Sequence, residues 1–279
     1  MFASVDLARR IEKAEAGLTA SLGHAVISQG AQADAFVEEI AAGVAAYTGP
    51  SSPMNKMIGV GFDGVPEDRL AAIEDLFRVR KAPLQAEVAT LANPVVAATL
   101  TRRGYVLENF ENVLGRPIAQ TDADPGSGDG IDIRPTESSQ IEQWLDAAIT
   151  GFQHADEQGV QAVPLPPREV FEDSLRPYMR VTGFHRYCAW IGGDLAGVAT
   201  LRMDSGVAQL CGAATLPRFR RRGVQTRLLR RRLADAFHNG CELAVLTTQP
   251  GSKSQENGHK QGFSLLYSRA ILIRAPLNR

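Results

Sequence analysis

An arginine-rich turn closed by one glycine, Arg218-Phe219-Arg220-Arg221-Arg222-Gly223-Val224-Gln225-Thr226, runs directly into the apolar-periodic stretch LLRRRLADAF. The segment before it, VAQLCGAAT, reads as a strand, and Pro217 fixes the entry into the turn. A helix start carries unpaired backbone N–H groups and a partial positive charge. Glycine in the preceding turn lets an anion approach the backbone closely. Arginine adds forked donors that match phosphate. The stretch therefore reads as a pyrophosphate cradle. A solvated basic helix face would account for Arg227, Arg230, Arg231 and Arg232, but not for Gly223 at the helix start or for Pro217.

The rest of the composition gives that charge a local meaning. The 279 residues carry 30 basic and 31 acidic side chains, a formal net charge of −1, so no global attraction to nucleic acid is expected. With 44% hydrophobic and 22% charged residues the chain is globular in composition. Cys188, Cys211 and Cys241 are far apart and lack a CxxC spacing; they read as core residues rather than a disulfide framework or a metal site. The N-terminus has charges every few residues and no apolar signal core, and no run reaches the length of a membrane span. A soluble cytoplasmic protein is expected.

Periodicity places helices at Asp6–Leu22, Phe36–Tyr47, Asp68–Arg80 and Pro94–Arg103. Strands fall at Met57–Phe62, Leu84–Leu91 and Tyr105–Leu114. Gly115–Gly130, rich in Pro, Gly, Asp and Ser, reads as a linker. Beyond it come a strand at Ile131–Pro135, a helix from Ser138 to about Thr150, a loop, and a helix at Arg168–Val181. Strands follow at Arg186–Ile191, Leu195–Asp204 and Val207–Ala214. The arginine turn and its helix to Asn239 come next, then a strand at Glu242–Thr247, a helix at Ser252–Gln261, and strands over Phe263–Arg274. LTRRGYVLENFENVL and HKQGFSLLYSRAILI align at one constant offset, with Gly104 on Gly262, Tyr105 on Phe263, Leu107 on Leu265 and Val113 on Ile271. This favours two copies of one fold.

TLPRFRRRGVQTRLL resembles the acyl-CoA loop of the GNAT superfamily of N-acetyltransferases, with Arg220, Gly223 and Gln225 at its three defined positions; Gln225 stands where a small residue is usual. The strand before the loop and the strand, helix and Gly-Phe after it follow in the family's order, so the resemblance covers Ile131–Arg274. It implies an α+β fold of two GNAT-like domains, each a mixed, mostly antiparallel sheet flanked by helices. Residues 1–114 would be a degenerate copy lacking the loop, 115–130 the linker, and 131–279 the acetyl-CoA-binding domain. The implied donor-binding residues are Ala213, Ala214 and Thr215 through their backbone, Arg220, Arg221, Arg222, Gly223, Val224, Gln225 and Thr226 in the loop, and Ser254 and Asn257 on the following helix. In the first half Glu67-Asp68 stand where arginines would, and two carboxylates at a helix start repel phosphate.

The stretch Gly59-Val60-Gly61-Phe62-Asp63-Gly64 fits the dinucleotide pattern G-x-G-x-x-G, yet Val65-Pro66 intervenes before the helix it would have to open, so nicotinamide binding is not expected. The family's acid, a tyrosine four residues before Gly-Phe, is replaced by Gly258. The remaining candidates are Tyr267, His259 and His154, with Asp156 and Glu157 beside His154 in the loop that would border the acceptor. The resemblance implies an acetyl-CoA-dependent N-acetyltransferase acting on a primary amine of a small molecule or peptide. The missing tyrosine keeps open a non-catalytic acyl-CoA-binding module. Acetyl-CoA is the expected acyl donor, with no metal, no nucleic acid and no membrane; homodimer assembly is left open.

Overall fold

In a computed structural model of the chain, residues 1–126, 130–154, 160 and 165–276 are described. The elements run α1 (Val5–Ser28), β1 (Phe36–Ile40), β2 (Gly43–Tyr47), β3 (Lys56–Ile58), α2 (Glu67–Val79), β4 (Leu84–Ala89), α3 (Pro94–Arg102) and β5 (Val106–Pro117). After the linker come β6 (Ile131–Pro135), α4 (Ile141–Gln153), α5 (Arg168–Leu175), β7 (Phe184–Ile191), β8 (Asp194–Asp204), β9 (Val207–Gln209) and β10 (Ala213–Thr215). The chain continues through α6 (Val224–His238), β11 (Leu243–Thr248), α7 (Lys253–Lys260) and β12 (Ser264–Arg274). Among the described residues no helix is long and apolar enough to cross a membrane.

Two compact units result, and their boundaries depart from the expected ones. The first comprises Phe2–Val113, Asp173–Val181 and the segment from Leu265 onward; the second comprises Leu114–Glu172 and Thr182–Ser264, with Met1. The last strand, expected in the second domain, is therefore part of the first. β12 lies antiparallel to β4, with Arg269 opposite Ala89 and Arg274 opposite Leu84. Local sequence cannot specify such a pairing, because the apolar alternation of β12 suits any half-buried sheet position.

In the first unit β1 and β2 pair antiparallel, β2 pairs antiparallel with β3, and β3 runs parallel to β4. The expected helix over Phe36–Tyr47 is thus a hairpin. Its alanines favour a helix intrinsically, but every residue of β2 is buried in the sheet, and tertiary burial outweighs propensity. Gly43 explains the close fit: a Cβ there would lie 2.7 Å from the Gly59 carbonyl carbon. The expected helix at Arg168–Val181 ends at Leu175 and continues as a 3₁₀ turn containing Pro177. The two aligned helix ends share one geometry. Tyr105 N–H donates to Leu100 O and Phe263 N–H to Gly258 O, both at 3.1 Å, across Gly104 and Gly262 at φ +86° and +82°.

The G-x-G-x-x-G stretch serves packing. A Cβ on Gly59 would lie 2.9 Å from Ala16 Cβ of α1, and one on Gly61 would lie 3.0 Å from Ala92 Cβ. Asn93 N–H, at the start of α3, donates to Gly61 O at 2.9 Å. Glu67 and Asp68 occupy the first turn of α2 behind Pro66.

A charged layer lies in the interior of the first unit. Arg269, 1% exposed, donates from Nε to Glu12 Oε1 at 2.7 Å, and Tyr267 donates to the same oxygen at 2.7 Å. Nη1 of Arg269 lies 3.9, 3.8 and 3.7 Å from Glu15, Glu87 and Glu111. Lys56 Nζ and Gln85 Nε2 each donate to Glu87 Oε1 at 2.9 Å. Arg269 and Lys56 thus lie among the four carboxyl groups of Glu12, Glu15, Glu87 and Glu111. Burial and the nearby Glu87 charge push the Glu111 carboxyl up to about 7, and burial raises Glu12. Glu87 is held below the usual carboxylate range by Lys56 and Arg269, against the opposing effect of its burial.

A carboxyl raised in the folded state binds more protons there than when unfolded, so its contribution is complete below its ordinary value of 4.5 and is lost as pH rises through about 7. Glu111→Gln is therefore expected to flatten the fall in stability between pH 5 and 8. Because the Glu111 side chain is 37% exposed, solvent screens much of the effect. A melting-temperature rise at pH 8 of roughly 2–4 °C is expected, the equivalent of about 1 kcal/mol in a unit of this size. An unaltered pH profile in thermal melts would refute the role given to Glu111.

Candidate active site

In the second unit β6, β7, β8 and β9 follow one another antiparallel, and β9 runs parallel to β11. The expected single strand Val207–Ala214 is broken. β9 stays beside β11 as far as Gln209 opposite Val245, and Leu210 N–H then donates to Val245 O at 2.9 Å. Past Gly212 the chain resumes as β10, which pairs with β8 alone. The carboxyl ends of β10 and β11 therefore separate, leaving their facing backbone edges unpaired with each other.

The arginine turn sits directly after β10. Phe219 is buried and anchors it, with the guanidinium groups of Arg218 and Arg222 over its ring at 4.7 and 5.5 Å. Arg221 adopts φ +61° and Gly223 φ +85°, and Gly223 is the N-cap of α6 with no side-chain cap. A side chain at that φ would cost roughly 1–2 kcal/mol. The first helical acceptor, Gly223 O, is taken by Arg227 N–H at 3.0 Å. The amides of Val224, Gln225 and Thr226 precede any intrahelical acceptor. Val224 is 2% exposed, and the absence of a side chain at Gly197 lets it approach the sheet: a Cβ there would lie 2.8 Å from both Val224 Cγ1 and Ala214 O. On the opposite face Gly151 of α4 rests on Ala214, where a Cβ would be 2.5 Å from the alanine methyl.

The helix arginines divide by burial, not as one solvated face. Arg227 donates to Pro125 O and Gly126 O, both at 2.7 Å. Arg232 is 4% exposed and donates to Leu228 O, Thr200 O and Cys211 O, pinning the break between β9 and β10; burial pushes its guanidinium down to about 10. Arg231 bridges to Asp235 at 3.0 Å. Only Arg230 is left fully on the outer face of that set. Sequence reading missed Arg232 because arginine pattern alone does not reveal which carbonyls a bulge leaves open. Cys188 and Cys241 are buried as expected, and Cys211 is half-buried at the bulge.

The structure brings Ala213, Ala214 and Thr215 together with Arg220 to Thr226 around the start of α6. Arg220 donates to His154 O, the backbone carbonyl at the end of α4, while Arg221 and Arg222 are exposed. Ser254 is exposed and Asn257 half-buried on α7, whose N-cap is Ser252. The catalytic candidates are otherwise engaged. Tyr267 lies in the first unit, buried, with its hydroxyl on Glu12; burial and that carboxylate push it well above the usual tyrosine range. His259 is exposed, with Nδ1 donating to Phe263 O at 3.0 Å and Nε2 3.2 Å from Gln255. His154 Nδ1 donates to Thr150 O at 2.9 Å. Asp156 and Glu157 lie outside the described residues. Gly258 is buried, and a Cβ there would meet Leu114 at 3.3 Å and Leu246 at 3.6 Å, so apolar side chains fill the place of the missing tyrosine.

A mixed sheet with two parting strands and a glycine-capped helix opening beside them is the architecture of the GNAT fold. Residues 145–263 match the model described as the acetyltransferase (GNAT) family. A GCN5-related N-acetyltransferase from Kribbella flavida superposes with a TM-score of 0.63 at 18% identity, over 94% of this chain and 96% of that one. A tandem GNAT protein from the clavulanic acid biosynthesis pathway gives 0.58 at 12%, over 85% and 79%. A functionally unknown protein from Staphylococcus epidermidis gives 0.56 at 10%, over 76% and 80%. At these identities the likeness is one of fold. No curated protein is significantly similar to the chain.

Proposed function

We propose that the chain is an acetyl-CoA-dependent N-acetyltransferase of tandem build. Its second unit takes the acyl donor and passes acetyl to a primary amine of a small molecule or peptide. The observation that carries this reading is the Gly223-capped start of α6 beside the parting ends of β10 and β11. Amides of Val224, Gln225 and Thr226, with Arg220, Arg221 and Arg222, are suited to a pyrophosphate. Backbone groups of Ala213, Ala214 and Thr215 face the strand gap and suit an amide-bearing arm. Bound acetyl-CoA would supply the activated acyl group and a thiol leaving group. The chain's own task is to orient that group and exclude water while a neutral amine attacks. A thiol titrating near ~8.5 leaves readily enough that no side-chain acid is required, in keeping with Gly258. Neither nucleic acid nor membrane enters this reading.

The engagement of His259 and Tyr267 and the filled space at Gly258 favour a second reading, a non-catalytic acyl-CoA-binding module. Thiol release from acetyl-CoA across a broad amine panel separates the two. Acetylation of any amine, with a rate that rises with pH as the amine deprotonates, supports the enzyme. Tight CoA binding with no turnover on any amine supports the module.

The first unit is expected to bind no CoA. Glu67 and Asp68 repel phosphate at the start of α2, and the Asn93–Gly61 hydrogen bond ties together the chain segments following β3 and β4. Calorimetric titration of the whole chain should give one CoA per chain, and two per chain would refute this.

A further inference from the structure

On the face of the sheet opposite α6, an aromatic pair stands over the break between β9 and β10. A Cβ at Gly212 would lie 3.3 Å from Phe152 Cζ, so the missing side chain there makes room for the ring. Phe152 is the next-to-last residue of α4 and is half-buried. Phe171 of α5 is buried and meets it edge to face, with ring centroids 6.4 Å apart and planes at 72°. Arg168 holds α5 against α4 through Asp146 and through Thr150 Oγ1 at 3.1 Å. On the β11 side of the gap, Val160 rests against Gly251, where a Cβ would lie 3.3 Å from Val160 Cγ1. Val160, Leu165 and Val170 are exposed; apart from Met1 they are the exposed large apolar side chains among the described residues of the second unit. Exposed apolar groups gathered in the one stretch that carries the ring pair mark a ligand surface.

We propose that Phe152 and Phe171 wall the acceptor side of the active site, and that the acceptor is a primary amine carried on an aromatic group. This assignment rests on the acetyltransferase reading of the second unit. There the donor's phosphates belong at the start of α6, on that helix's face of the gap. An amine attacking a thioester held in the gap approaches from the other face, where the rings stand. An aromatic substituent extends the existing pair edge to face or offset, the arrangements in which rings pack best. A polyamine or an amino sugar brings polar groups that an aromatic wall leaves without partners, and so binds less well. In the step served, the neutral amine nitrogen bonds to the acetyl carbon and the C–S bond breaks, its electron pair going to sulfur. The proton shed by the nitrogen ends on the thiolate or on water.

Thiol release from acetyl-CoA with two amines, 2-phenylethylamine and 1,4-diaminobutane, tests this. The aromatic amine is expected to have the higher kcat/KM by at least about tenfold, the range over which a hydrophobic contact discriminates. Phe152→Leu keeps an apolar side chain and removes the ring. It is expected to raise KM for 2-phenylethylamine about tenfold with kcat within about threefold, the signature of lost substrate binding. KM for the diamine and the calorimetric affinity for CoA are expected to stay as in wild type. Gly212→Ala, which sets a methyl against the ring, is expected to act in the same direction. Turnover confined to non-aromatic amines, or faster with the diamine, overturns the aromatic assignment and leaves the enzyme reading standing. An equal loss for both amines in Phe152→Leu with a lower melting temperature marks a purely structural ring and also overturns it. Tight CoA binding with no turnover on any amine of a broad panel removes the acetyltransferase reading, and this assignment falls with it.

Discussion

Gly223→Asp is expected to abolish CoA binding while leaving the protein folded. The N-cap sits at φ +85°, a region that aspartate visits more readily than most residues. The nearest atom to a Cβ there is Ile131 Cδ1 at 3.7 Å, an ordinary contact, so the new side chain has room. A carboxylate at a helix N-terminus also favours the helix itself. What changes is the charge presented to an incoming phosphate: an acceptor now occupies the space before the amides of Val224, Gln225 and Thr226. A loss of at least about a hundredfold in affinity is expected, the equivalent of about 2.7 kcal/mol. Gly223→Asn has nearly the same shape without the charge and is expected to retain measurable binding. Calorimetry with CoA, alongside thermal melts, checks both. Wild-type affinity in the aspartate variant would remove the anion site from this helix.

Arg269→Met is expected to unfold the first unit or bring it close to unfolding. The guanidinium is the common partner of Glu12, Glu15, Glu87 and Glu111, and of these carboxylates Lys56 bridges Glu87. Removing one partner of a buried ion pair costs roughly 3–5 kcal/mol, against a total stability of about 5–15 kcal/mol for a typical domain. Replacing both members of the closest pair should recover much of the loss, because a well-packed apolar pair avoids desolvating either charge. The combination Glu12→Leu with Arg269→Met is therefore expected to be more stable than Arg269→Met alone. Urea denaturation at pH 7 measures the difference. A single variant as stable as wild type would show that the layer is held together without its arginine.

Local signals marked the elements that local physics controls. Pro66, the Asn93-Pro94 pair, Gly223 and Ser252 each mark a helix start, and α2, α3, α6 and α7 begin there. Gly104 and Gly262 end helices for the same reason, which made the internal likeness legible. The hairpin of β1 and β2 was misread because an alanine-rich run takes its conformation from what it packs against. The glycine-capped start of α6 was legible through Gly223 and the arginines before it. The burial of Arg232 was not, since it depends on where β9 breaks and which carbonyls that break leaves for it. Pro177 was a visible signal, and the helix expected through it stops two residues earlier.

The placement of β12 has a consequence for synthesis. A ribosome releases residues 2–113 long before Ser264–Arg274 exist, and a nascent first unit therefore lacks the strand that lies against β4. Through that interval Glu12, Glu15, Glu87 and Glu111 wait without Arg269, and the edge of β4 has no neighbour on that side. N-terminal domains commonly fold first as they emerge. Here the order is reversed: the second unit, whose helices and strands lie between Leu114 and Ser264, can close while the earlier one is still open, and the N-terminal half is completed last.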